Sequence, residues 1–227
     1  MRVLDDWLLT PVRAAIHLPT ATAVIADVHL GYGEARHRGG DAVPRQSAAL
    51  VLDPLLPVLK RHAVRRLVIA GDLFEAGPST ALVTELLDWC SRNEVELCGV
   101  VPGNHDRGLA KNAPALPIHE EGLQLGAWRV VHGDGPLPAG RFIQGHEHPV
   151  ARWEGRVGGP CFLIGAERLV LPAFSLDAAG VNVLNEQRWR AFRCCVIAGD
   201  RLLDFGVLGE LGERTSRLRL SQNHANG

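Results

Sequence analysis

Leu67-Val68-Ile69-Ala70-Gly71-Asp72 is a run of four apolar residues stopped by a glycine and a carboxylate. A short run rich in Val, Ile and Leu reads as a strand buried on both faces. The glycine behind it suits a tight turn and a close backbone approach, so the pair places a polar group where such a strand ends. The same grammar recurs on either side. Residues 23–26 run into Asp27, and residues 95–101 precede Gly103-Asn104. Helical patterns lie between, over residues 45–61 and 79–92, the second with Ser79 or Thr80 as N-cap after Gly77-Pro78. Strand, helix, strand, helix, strand is the rhythm of an α/β fold.

Beyond Trp128 the grammar changes. Short apolar runs over 128–131, 141–144, 161–164, 169–174, 191–197 and 201–205 are separated by Gly, Pro or charged residues. They read as consecutive strands joined by tight turns, so the second half is expected to be mostly sheet. The 227 residues are expected to form a single domain, with a polar tail from about residue 209 that frays.

Polar groups beyond the carboxyl ends of neighbouring strands face a crevice. Five short motifs stand there in order: Asp27-Val28-His29, Gly71-Asp72, Gly103-Asn104-His105-Asp106, Val131-His132-Gly133-Asp134 and Gly145-His146-Glu147-His148. Asp, His and Asn hold divalent metals through oxygen and imidazole nitrogen, and a set without Cys does not read as a structural zinc site. Asp27 and His29 are two apart, so an extended backbone would aim both at one cation, and the same spacing argument applies to His146 and His148. Asp72 offers two oxygens for bridging two metals. Asn104 offers a neutral oxygen that keeps the site from becoming too anionic for a phosphate.

Composition narrows the setting. A formal charge of −1 gives the average surface no strong pull on nucleic acid or acidic membranes. Of the 24 basic residues only Lys60 and Lys111 are lysine; arginine suits bidentate phosphate contacts, although genomic composition or heat tolerance produces the same bias. Arg36, Arg38, Arg45, Arg61, Arg65 and Arg66 are candidates for a DNA track, against the plainer reading of scattered solvent-facing charge. Five cysteines without a CxxC pair, two acids in the first six residues and no stretch of membrane-spanning length give the expectation of a cytoplasmic protein with reduced thiols and no membrane partner.

The five motifs resemble those of the calcineurin-like metallophosphoesterase superfamily, whose pattern is D-x-H, G-D, G-N-H-D/E, H and G-H-x-H. The resemblance implies a two-sheet β-sandwich flanked by helices and a dinuclear metal centre that hydrolyses phosphate esters. Carried over by position, Asp27, His29 and His148 would hold the first metal, Asn104, His132 and His146 the second, and Asp72 would bridge. His105 would donate a proton to the leaving oxygen and Asp106 would orient it. Ala26-Asp27-Val28-His29-Leu30-Gly31, the stretch 36–38 leading to Val43-Pro44, Gly145-His146-Glu147-His148-Pro149 and Leu169-Val170-Leu171-Pro172-Ala173-Phe174 are similar to a narrower group, the bacterial and archaeal phosphoesterases associated with DNA ligases and helicases. That likeness implies Mn²⁺-dependent phosphodiester hydrolysis on DNA, a DNA endonuclease with a repair role, and a helicase or ligase partner. Tyr32-Gly33-Glu34 departs from many relatives, which carry Lys or an acid after Leu-Gly. The ligand types admit Fe, Zn²⁺ or Ni²⁺ as well as Mn²⁺. A small-molecule phosphatase or cyclic-nucleotide phosphodiesterase would use the same metal core, and a non-catalytic scaffold should have lost some of these ligands.

Overall fold

A computed structural model describes residues 1–153 and 158–211. Two mixed sheets stack face to face. The first runs in sequence order through β1 (Arg2–Val3), β2 (Trp7–Leu9), β3 (Ala15–His17), β4 (Thr22–Ile25), β5 (Arg66–Ala70) and β6 (Glu96–Val101). Its first four strands meander antiparallel, while β4, β5 and β6 are parallel. The helices are α1 (Tyr32–Arg38), α2 (Ala48–Leu52), α3 (Leu56–Arg61), α4 (Thr80–Arg92) and α5 (Leu109–Asn112). Ser79 caps α4 by accepting from the Leu82 N–H, as its position before the apolar period suggests.

The second sheet holds β7 (Leu123–Leu125), β8 (Trp128–Val131), β9 (Phe142–Gln144), β10 (Pro149–Ala151), β11 (Gly159–Ile164), β12 (Arg168–Val170), β13 (Val181–Asn182), β14 (Arg193–Ala198) and β15 (Arg201–Val207). The tight-turned antiparallel neighbours that the sequence suggests are present in β7–β8, β11–β12 and β14–β15, but the rest of the sheet departs from that run. β8 and β12 both flank β9 in parallel, β10 pairs β13 in parallel, and β11 pairs β10, β12 and β14.

The unbroken apolar runs are explained by what lies on each side of a strand. In β4 and β5, Ala23, Ile25, Leu67 and Ile69 pack toward the helices. Val24 and Val68, with Ala26 and Ala70, pack between the sheets. A strand buried on both faces has no polar alternation to show. β11 and β14 do the same in the second sheet: Phe162 and Cys195 face the first sheet, whereas Leu163 and Cys194 face an outer cluster under Trp189 and Leu208. Trp7 and Trp128 meet edge to face across the two sheets, their rings 5.7 Å apart.

Three expectations need correction. The helix expected over 45–61 is α2 and α3 separated by a 3₁₀ turn at Asp53–Leu55; Pro54 and Pro57 lack the N–H that would continue it. The strand expected over 169–174 ends at Val170, because Pro172 cannot donate and the chain leaves the second sheet there. The short strands β1 to β3, β7, β10 and β13, and helices α1 and α5, were not anticipated, being too brief for periodicity to register. The fraying expected of the tail falls mostly on residues 212–227, outside the described residues; residues 208–211 form a turn of helix. Among the described residues no helix is long and apolar enough to cross a membrane.

Candidate metal centre

The five motifs follow β4, β5, β6, β8 and β9 in that order, each at a carboxyl end. Parallel strands point those ends the same way, so both sheets deliver side chains to one rim. Three groups of side chains come within reach of a shared cation there: Asp27, His29 and His148; Asp72, His132 and His146; and His29, Glu75 and His105. Asn104 joins the second group, its Oδ1 3.2 Å from His132 Nε2. Asp27, His29, Asp72 and His132 form a buried floor, and His146 and His105 stand exposed at the edge.

Backbone strain marks the same place. Asp27, His29, Asp72, His146 and His148 all have positive φ, between 41° and 67°. Each such residue costs about 1–3 kcal/mol and persists where surrounding structure over-determines it. Here the restraint is visible. The N–H of Asp27 donates to Gly71 O (3.0 Å), that of His29 to Asp72 O (2.9 Å), and that of His146 to both Asp27 carboxylate oxygens (3.0 and 3.1 Å). The D-x-H and H-x-H pairs are therefore not aimed by the extended backbone that their spacing suggests. The backbone is left-handed, not extended, and His146 and His148 turn into different groups. Two glycines permit the crowding: a Cβ on Gly71 would sit 1.9 Å from His132 Nδ1, and one on Gly145 would sit 2.6 Å from Asp27 Oδ2.

Ring orientation suits metal binding. His132 Nδ1 lies 3.3 Å from Ala70 O and His148 Nδ1 3.0 Å from Ala179 O. A hydrogen donated from Nδ1 leaves the Nε2 lone pair for a cation. Those Nε2 atoms face carboxylates: His148 lies 3.4 Å from Asp27 Oδ1, and His132 lies 3.5 Å from Asp72 Oδ2. His146 Nδ1 is 3.2 Å from His132 Nε2. His29 Nε2 is buried without a hydrogen-bond partner, and His29 Nδ1, 2.7 Å from Glu75 Oε2, makes no well-aligned hydrogen bond either. Buried polar atoms and carboxylates without such partners are costly unless something compensates them. Divalent cations among these oxygens and nitrogens fit that requirement. Burial pushes the pKa of His148 down, but the hydrogen bond and charge of Asp27 outweigh that and hold it above the ordinary value.

His105 stands slightly apart. Its backbone N–H donates to Asp72 Oδ1 (2.9 Å), and its Nδ1 is 2.8 Å from Glu75 O. That carbonyl raises its pKa; burial opposes the rise, and the carboxylates of Asp72, Glu75 and Asp106 add to it. Glu75 was not anticipated, although an acid three residues after Asp72 in the same loop was the available signal.

Asp106 differs from expectation. Its carboxylate does not reach the His105 ring but accepts the N–H groups of Leu73, Phe74 and Gly103, each at 3.0 Å. It is 1% exposed. Burial raises its pKa against those three hydrogen bonds. Asp106 thus ties the loop after β6 to the loop after β5. Asp106→Ala would strand three donors, and we expect it to destabilise the fold by about 3 kcal/mol or more. Chemical denaturation checks this; a loss below about 1 kcal/mol would contradict the clamp.

A second brace lies under the Gly145–Pro149 loop. Glu147 pairs with Arg188 (2.8 Å) and Arg168 (3.5 Å), and both guanidinium groups stack on Trp189, at 4.7 and 4.8 Å. Arg168 also donates to Gln144 Oε1. Of the arginines considered for a DNA track, Arg36, Arg65 and Arg66 pair with Asp41, Glu94 and Glu96. That favours the plainer reading for those three.

Across 88% of its length the chain is similar to the crystal structure of nuclease MPE from Pseudomonas putida, with a TM-score of 0.71 and 25% sequence identity, covering 94% of that protein. The shared architecture is consistent with a metallophosphoesterase-like fold. No family model matches the sequence, and no curated protein matches it.

Proposed function

We propose that this chain is a metal-dependent phosphodiesterase of the ligase- and helicase-associated metallophosphoesterase group, acting on nucleic acid as a DNA endonuclease. The observation that carries the reading is the pair of adjoining groups, Asp27/His29/His148 and Asp72/His132/His146, on one rim with His105 beside them. The nuclease named on the similar structure supports the substrate class.

In this reading Asp27, His29 and His148 hold one cation, Asn104, His132 and His146 hold a second, and Asp72 lies between. Mn²⁺ is the expected metal, and Fe, Zn²⁺ or Ni²⁺ would fit the same donors. Divalent cations there would neutralise phosphoryl charge and acidify water. His105, its ring held at Nδ1 by the Glu75 carbonyl, gives its proton to the departing oxygen. A repair role, with a helicase or ligase as partner, belongs to the same reading.

Metal-stripped protein titrated with Mn²⁺ tests it. Two equivalents per chain, with diester hydrolysis rising as they bind, is the expected result. Turnover indifferent to metal would overturn the proposal. The Glu147 brace gives a finer prediction. The double variant Arg168→Met with Arg188→Met removes both partners of Glu147 and should weaken Mn²⁺ binding about 10- to 100-fold, the effect typical of losing an outer support of a ligand. Unchanged affinity by calorimetry would make that brace irrelevant to the site.

A further inference from the structure

A cleft of about 470 Å³ opens directly beside His29. Its volume lies within the range of small-molecule sites. One wall is Phe174 to Asp177, the other is Tyr32 with Leu50 and Val51 of α2. The first wall is fixed to the candidate metal centre itself. Phe174 N–H donates to Ala26 O (2.7 Å) and Ser175 N–H to Asp27 O (3.0 Å). Arg13, whose guanidinium donates to the carbonyls of Ala173 and Ser175, braces it from behind.

The lining is mostly apolar. Among the described residues the two most exposed large hydrophobic side chains, Leu176 at 82% and Leu50 at 63%, both belong to this cleft. At its mouth Gln46 Nε2 lies 3.4 Å from Asp177 Oδ2, so an amide and a carboxylate offer donor and acceptor atoms at one edge. Arg13 is the one basic side chain besides His29 on the lining, and its contacts with backbone carbonyls occupy it. A track for phosphates would need free cations. A flat heterocycle, apolar on its faces and polar at its edge, matches these walls and this rim.

We propose that this cleft seats a nucleobase attached to the phosphodiester under attack. The proposal rests on the phosphodiesterase reading above and adds where the substrate is held. It makes Tyr32, the chain's one tyrosine, part of the substrate wall.

The test uses three esters with the same leaving group: the 3′- and 5′-(p-nitrophenyl phosphates) of thymidine, and methyl p-nitrophenyl phosphate. With Mn²⁺, the intact protein should favour at least one thymidine ester over the methyl ester by about tenfold or more in kcat/KM, the scale of a stacked base. The double variant Leu50→Asp with Leu176→Asp changes exposed side chains away from the metal-binding groups. It should erase that preference through KM while leaving methyl ester turnover unchanged, which also reports an intact fold. Equal rates on all three esters in the unaltered protein, or a preference that survives the double variant, would overturn the base pocket and leave the phosphodiesterase standing. If no ester turns over with any divalent metal, the phosphodiesterase reading falls and takes the pocket with it.

Discussion

His105→Ala should leave metal binding intact and lower turnover on DNA by about 10²–10⁴-fold, the contribution expected of a positioned general acid. The separation is possible because His105 serves the site in two ways. Its backbone N–H donates to Asp72 Oδ1 at 2.9 Å, and that hydrogen bond survives the substitution. Its ring is held at Nδ1 by the Glu75 carbonyl and belongs to neither of the two groups assigned to cations. The deficit should shrink on p-nitrophenyl esters, whose leaving group departs without help. Steady-state rates on both substrates, with metal content measured in parallel, check this. An unchanged rate on DNA would remove His105 from the chemistry, and an equal loss on both substrates would assign it to binding.

Asp72→Asn is expected to have the second largest effect. The carboxylate lies 3% exposed, with Oδ1 on the His105 backbone and Oδ2 3.5 Å from His132 Nε2. An amide keeps the shape and one acceptor oxygen but removes the charge and the second oxygen. Loss of an outer partner alone weakens metal sites 10- to 100-fold, so loss of this carboxylate should exceed about 100-fold, with turnover falling in step. Calorimetric titration with Mn²⁺ measures it. Two equivalents bound with unaltered affinity would contradict the place given to Asp72 between the cations.

Much of the fold was legible because it is buried on both faces. Strands such as Arg66–Ala70 and Glu96–Val101 announce themselves as apolar runs, and Gly71 and Gly103 mark where they stop. Apart from Glu75, the residues that gather at the rim were legible for the same reason: each motif follows such a run. What the sequence hid is how backbone conformation, rather than spacing, aims them. Nothing in Asp27-Val28-His29 discloses a left-handed φ at both ends, and the two-residue spacing of His146 and His148 does not disclose that they part company, which only the family resemblance implied. Asp106 misled because the resemblance implied a role on His105, whereas two of its three partners, Leu73 and Phe74, lie more than thirty residues away. The Arg168–Glu147–Arg188 brace on Trp189 was invisible because it joins strand β12 to a 3₁₀ turn across the second sheet.

The most direct test is the cutting of covalently closed single-stranded DNA circles by metal-stripped protein, with and without added Mn²⁺, and with His105→Ala as control. A circle has no ends, so any linear product records an internal cut. Linear DNA is expected only with the metal and only from protein that keeps His105. Circles that stay intact with Mn²⁺, while a small phosphate ester is hydrolysed briskly, would contradict the assignment of DNA as substrate and turn the site toward small esters.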